Sequence, residues 1–192
     1  MLRKGLLWAV LAIPAAMMLH GWTLRGALPM DLLHPSGEWS LRLMVLAMLP
    51  GPLADAFGRG RFLRGWLAAR RNLGVAAFLY GVLHLIFYGI DMGTLAAILD
   101  EALLPAIWTG WVSFFLMLAL AATSFDAAMR ALGRRWKMLQ RAVYAALLLA
   151  LAHWYLLDGA WPPVLIHGAP VAAAWALRAF AHFRSPSAQG AL

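Results

Sequence analysis

Long apolar stretches alternate with short polar ones along the whole chain. Six run at roughly 5–22, 39–54, 73–90, 106–124, 138–157 and 162–182. A helix needs about 20 mostly apolar residues to cross a bilayer, so the pattern predicts an all-α integral membrane protein, a six-transmembrane-helix bundle. The 39–54 stretch is short and carries Pro50 and Pro52, which leaves its inner end open. No internal repeat stands out, and no connection is long enough for a soluble domain. Residues 1–184 therefore read as a single transmembrane domain, and 185–192 (SPSAQGAL from Ser185) as a short disordered tail. Arg3 and Lys4 ahead of the first stretch suggest a signal peptide, but His20-Gly21-Trp22 is a poor cleavage site and similar stretches follow, so it is read as a span.

Charge gives the bundle a direction. Arg59, Arg61, Arg64, Arg70 and Arg71 fall between the second and third stretches, and Arg130, Arg134, Arg135 and Lys137 between the fourth and fifth. The alternate connections hold Arg25 as their only basic residue, beside Asp31, Glu38, Asp91, Asp100, Glu101 and Asp158. The positive-inside rule then predicts that both termini and the Arg-rich loops are cytoplasmic. Pro29, Pro35, Pro105, Pro162 and Pro163 are expected to turn the chain in the outer loops. Hydrophobic residues make up 64% and charged residues 12%, against about 25% charged in soluble domains. The net charge of +8 is thus mostly a topology signal, and nucleic-acid binding is excluded as its explanation. Trp22, Trp39, Trp108, Trp111, Trp154 and Trp161 near the outer ends, and Trp8, Trp66 and Trp136 near the inner ones, fit aromatic belts.

Against this background two residues carry chemistry. His84 and His153 lie deep in apolar stretches, where an imidazole is costly and a functional candidate by default. The third and fifth spans run the same way, which brings both histidines to similar depth in the outer half. Two neutral imidazoles on neighbouring helices can hold one haem iron from both sides, and Gly81, Ala150 and Ala152 leave room for a flat macrocycle. The alternative is that each histidine only bonds a neighbouring helix. His20 and His182 read as boundary residues, His34 as an outer-loop residue in HPSGEWSL, and His167 as packing or a spare ligand. With no cysteine, disulfides and thiolate-held clusters are excluded.

No HExxH pair, GxSxG elbow or dinucleotide fingerprint is present, so hydrolytic and nicotinamide chemistry find no support. The pairs Arg70-Arg71 and Arg134-Arg135 suit lipid headgroups. They also suit an anionic group such as a haem propionate, a flavin phosphate or an acidic partner.

The runs HPSGEWSLRLMVLAMLPGPL, RRNLGVAAFLYGVLHLIFYGID, WTGW…LALAATS and LGRRWKMLQRAVYAALLLALAHWYL occur in that order. This series, over roughly 31–157, resembles the MsrQ/YedZ family, within the ferric-reductase-like transmembrane group. The resemblance implies a b-type cytochrome of the bacterial inner membrane, with His84 and His153 as haem ligands. It implies electrons passed outward to a periplasmic molybdenum-containing methionine sulfoxide reductase, taken from a quinol or a cytoplasmic flavin reductase. One departure stands out: the family reads W-x-x-LH-R where this chain reads Trp136-Lys137-Met138-Leu139-Gln140-Arg141. An amide is a poor haem ligand, so one haem is expected, with any second haem lost or differently ligated. FMN or a quinone near Gln140 and Arg71 would then bridge the inner half. A stand-alone reductase of the same group, or a haem-free scaffold, are the alternatives.

Overall fold

The computed structural model describes residues 2–184, and the tail 185–192 lies outside the described residues. The described residues form ten helices and no strand. They are α1 (Leu2–Arg25), α2 (Pro29–Met48), α3 (Pro50–Phe57), α4 (Arg61–Met92), α5 (Leu95–Glu101), α6 (Pro105–Ala122), α7 (Asp126–Leu132), α8 (Arg134–Gln140), α9 (Ala142–Asp158) and α10 (Trp161–Arg184).

Among the described residues, five helical stretches are long and apolar enough to cross a membrane: Gly5–Arg25, Pro29–Phe57, Arg61–Met92, Pro105–Ala122 and Trp161–Arg184. The sixth expected span, 138–157, is divided at Arg141, where α8 ends and α9 begins. The 17 residues of α9 rise about 26 Å, close to the roughly 27 Å of the 18-residue α6.

Several expected loops are helical instead. Pro29 opens α2 and Pro105 opens α6 at the first helical position, where the missing N–H would have had no partner anyway. Pro162 and Pro163 lie in the first turn of α10 by the same rule, while Pro35 lies inside α2. The Arg-rich stretch from Arg61 to Asn72 belongs to α4, which at 32 residues rises about 48 Å. Its alanines, leucines and arginines are strong helix formers, and no proline interrupts them. The other Arg-rich connection folds into α7 and α8, joined at Gly133 with φ +52°.

Two antiparallel hairpins carry the architecture, α2 against α4 and α6 against α9. They are built alike. Ser40 Oγ of α2 donates to the Ala77 carbonyl of α4, and Ser113 Oγ of α6 donates to the Ala146 carbonyl of α9, each at 2.8 Å. Ala77 and Ala146 are 1% and 0% exposed, so the helices meet closely at both places. Ser36 Oγ bonds back to the Leu32 and Leu33 carbonyls, as Thr109 Oγ1 does to those of Pro105 and Ala106. On the first helices the equivalent residues are 73 positions apart, including Gly37 with Gly110, Leu43 with Leu116 and Met44 with Met117. On the second helices they are 69 apart, including Ala77 with Ala146 and His84 with His153. The chain therefore contains the internal repeat that its sequence did not display.

The remaining helices buttress this pair of hairpins. α1 packs on α2 and α4, where the Tyr80 hydroxyl enters its ladder beside Pro14, donating to the Leu11 carbonyl and accepting from Ala15 N–H. Side chains inserted this way are one origin of helix bends. α10 lies along α3 and α9, fastened by an Arg178–Asp55 ion pair at 3.0 Å.

Candidate functional site: a paired-histidine cavity

A cavity of about 530 Å³ opens between the two hairpins. Equivalent positions of the repeat line it from both sides: Gly37 and Gly110, Ser40 and Ser113, Met44 and Met117, Gly81 and Ala150, His84 and His153. Its far end, away from the Arg-rich segments, carries Glu38, Asp91, Glu101 and Asp158. Glu38 pairs with Arg42, Asp158 accepts from Trp154 Nε1 at 2.7 Å, and Glu101 accepts from the Tyr88 hydroxyl.

The two imidazoles come together with ring centroids 6.3 Å apart and planes at 88°. His84 Nδ1 lies 2.9 Å from the Leu33 carbonyl and His153 Nδ1 lies 2.6 Å from the Ala106 carbonyl. A carbonyl only accepts, so each Nδ1 carries the proton, and each Nε2 is left as a lone-pair donor. Leu33 and Ala106 are themselves equivalent in the repeat, so both rings are held by the same device. Ser36 Oγ adds a longer contact of 3.4 Å to His84 Nδ1.

Two imidazole nitrogens do not make a cage for a free ion. Among the described residues no group of three or more His, Cys, Asp or Glu side chains is gathered for one. Zinc sites use three or four protein ligands. A planar macrocycle is different, because it brings four donors of its own and needs only two axial ones. Metal–nitrogen bonds of about 2 Å on either side, with the ring radii added, require centroids about 6 Å apart, and 6.3 Å is what the rings have. The lining also fits a flat apolar group, with Leu41, Met44, Phe114 and Met117 facing it.

Of the other histidines singled out from sequence, His34 also lines the cavity, whereas His20, His167 and His182 do not. Arg71 donates twice to Asp126 Oδ1, at 2.7 and 2.6 Å, as an exposed ion pair between α4 and α7. Gln140 is half-buried and donates through Nε2 to the Leu120 carbonyl and Thr123 Oγ1, each at 3.3 Å. Neither lines the cavity. Arg71 and Gln140 are nonetheless repeat equivalents, 69 positions apart. His34 is helical rather than in a loop, exposed, with its ring edge-on to Trp154 at 4.9 Å. His167 is buried, its Nδ1 2.7 Å from the Pro163 carbonyl, with its ring beside Trp154. His20 and His182 are exposed on α1 and α10. Of the small residues expected near the ligands, Gly81 and Ala150 line the cavity and Ala152 does not. The Leu33 and Ala106 carbonyls could not be read from side-chain pattern, because any residue supplies a carbonyl.

Residues 36–151 match the family described as the ferric reductase like transmembrane component. Curated relatives named protein-methionine-sulfoxide reductase haem-binding subunit MsrQ are similar over most of the chain. The one from Azospira oryzae is 38% identical over 165 residues, covering 79% of this chain and 66% of its own length. The Bordetella parapertussis protein is 38% identical over 127 residues, 65% of this chain and 60% of its own. For Brucella ovis the figures are 36% over 162 residues, 80% and 71%. The chain belongs to the MsrQ family. It spans about two thirds of the length of these relatives, and the segment matched by the family runs from Ser36 within α2 to Leu151 within α9, with Leu33 and His153 just outside it.

Proposed function

We propose that this protein is a membrane b-type cytochrome that holds one haem between His84 and His153 and passes electrons to a periplasmic methionine sulfoxide reductase. The observation that carries it is the paired imidazoles, 6.3 Å apart across an apolar cavity and each tied by Nδ1 to a backbone carbonyl. The names of the relatives support haem and the methionine sulfoxide reductase system. In this reading α9 is the sixth span, the domain is the single unit 1–184, and both termini face the cytoplasm of a bacterial inner membrane.

Bound haem supplies a one-electron iron couple. The chain's own residues do the rest. His84 and His153 bind through Nε2, and the Leu33 and Ala106 carbonyls fix tautomer and ring rotation, which raises ligand basicity. Met44, Met117 and Phe114 give the cavity an apolar wall, and low polarity around a haem is one lever on its potential. The acidic far end would meet the partner, a molybdenum-containing reductase. Electrons would arrive at the Arg-rich end, from a quinol or through a cytoplasmic flavin reductase. A second haem is disfavoured because Arg71 and Gln140, matched positions of the repeat, offer no imidazole and are engaged elsewhere.

The test is the haem content and visible spectrum of purified protein, wild type beside His84→Ala and His153→Ala. About one b-haem per chain, lost in both variants, is expected. A colourless wild type from haem-sufficient cells overturns the reading, and two haems per chain overturn the single-site assignment.

A further inference from the structure

Each ligand ring also meets a glycine of the neighbouring helix, and the two glycines are repeat equivalents. A Cβ built on Gly110 would lie 2.7 Å from His153 Nδ1, 2.8 Å from Cε1 and 3.2 Å from Cγ. One built on Gly37 would lie 3.1 Å from His84 Nδ1 and 3.2 Å from Cε1. These contacts are with ring atoms, which cannot swing aside as a flexible chain end does. Gly37 is four residues after Leu33, and Gly110 four after Ala106. A helical side chain leans over the turn that precedes it. A side chain at 37 or 110 would thus cover the very carbonyl that its histidine bonds.

We propose that Gly37 and Gly110 are positioning residues for the two axial imidazoles: their missing side chains open the Leu33 and Ala106 carbonyls to Nδ1 and set how far each ring stands from its helix. The proposal rests on the haem reading above. It assigns a role to two residues that touch no haem-binding nitrogen except through the histidines. It also predicts an order, because 2.7 Å demands a shift of the ring while 3.1 Å demands only a few tenths of an ångström. Other glycines of the chain provide the contrast. Gly74 of α4 has nothing within 4 Å of its built Cβ.

Gly110→Ala, Gly37→Ala and Gly74→Ala proteins purified beside wild type separate these roles. The readouts are haem per chain, the rate of haem transfer to apomyoglobin, the ferric EPR spectrum and the midpoint potential. Removing support from behind a metal ligand typically costs about 10–100-fold in affinity, and Gly110→Ala is expected to lose haem at least about ten-fold faster. The haem it retains should give a displaced low-spin EPR signal, since that signal follows the angle between the imidazole planes. Gly37→Ala should show a smaller displacement, and Gly74→Ala should overlay wild type. Wild-type spectra, potential and retention in both Gly110→Ala and Gly37→Ala would overturn the proposal. So would failure of both to accumulate in membranes while Gly74→Ala accumulates, because the glycines would then serve helix packing. A colourless wild type would instead strike the haem reading itself, and is told apart at once.

Discussion

The α2–α4 and α6–α9 hairpins share a set of matched residues around the cavity, though not at every lining position, and part company at the Arg-rich end. Around the cavity each supplies a serine bonded to an alanine carbonyl, a glycine, a methionine, and a histidine tied to a carbonyl. Toward the Arg-rich end α2 runs on into α3, whereas α6 stops at Ala122 and gives way to α7 and α8. Position 71 of α4 is an arginine paired with Asp126, and its equivalent 140 is a glutamine of α8 bonded to the end of α6. The surroundings differ too. About 56% of the residues in the apolar window of the α2–α3 span are buried and only 22% of those in α6, and α1 packs on α2 and α4 while α10 packs on α2 and α3 as well as on α9. Likeness is thus retained around the paired imidazoles and has lapsed toward the Arg-rich end.

The comparison breaks most severely at the two closest helix contacts. Ala77→Leu and Ala146→Leu each force a larger side chain where a carbonyl accepts the serine bond, and overpacking of a filled site costs about 1–3 kcal/mol or more. Each should spread its hairpin and abolish haem incorporation, read as haem per chain after purification. If Ala146→Leu keeps its haem and Ala77→Leu does not, the hairpins are not mechanically equivalent.

Ser40→Ala and Ser113→Ala test the same contacts more gently. Side-chain hydrogen bonds between membrane helices average about 0.6 kcal/mol, with a maximum near 1.7. Both variants should keep haem and unfold at a slightly lower temperature in detergent. Ser113→Ala should show the larger drop, because α6 is less enclosed than α2. Equal drops would mean that the deeper enclosure of α2 adds nothing to the first hairpin.

Much of the site was legible because an imidazole has few reasons to stand in a long apolar run. His84 and His153 announced themselves by composition alone, and the structure sets them side by side. The repeat was hidden for a physical reason. Its two helices keep different offsets, 73 and 69, because the connections between them differ in length and form, so no single period aligns both. Identities such as Gly37 with Gly110 and Ser40 with Ser113 are also few among many interchangeable apolar residues. Proline misled the loop boundaries, since Pro29 and Pro105 start helices rather than end them. The arginines of 61–71 marked a polar segment correctly but concealed that the helix continues through it.

The smallest expected effects lie at the Arg-rich end, where the hairpins differ. Arg71→Ala removes an exposed pair with Asp126, and such pairs are worth about 0–1 kcal/mol. Gln140→Ala removes two 3.3 Å bonds of a half-buried amide. If neither residue holds a cofactor, both variants should match wild type in haem per chain, visible spectrum and midpoint potential, with thermal unfolding lowered slightly or not at all. Loss of haem or of a bound flavin in Arg71→Ala would give this end a cofactor role and make its Asp126 partner incidental. A spectral change confined to Gln140→Ala would place a chromophore near α8. Silence in both would leave one functional layer in the repeat, the one in which Gly37 and Gly110 stand behind the histidines.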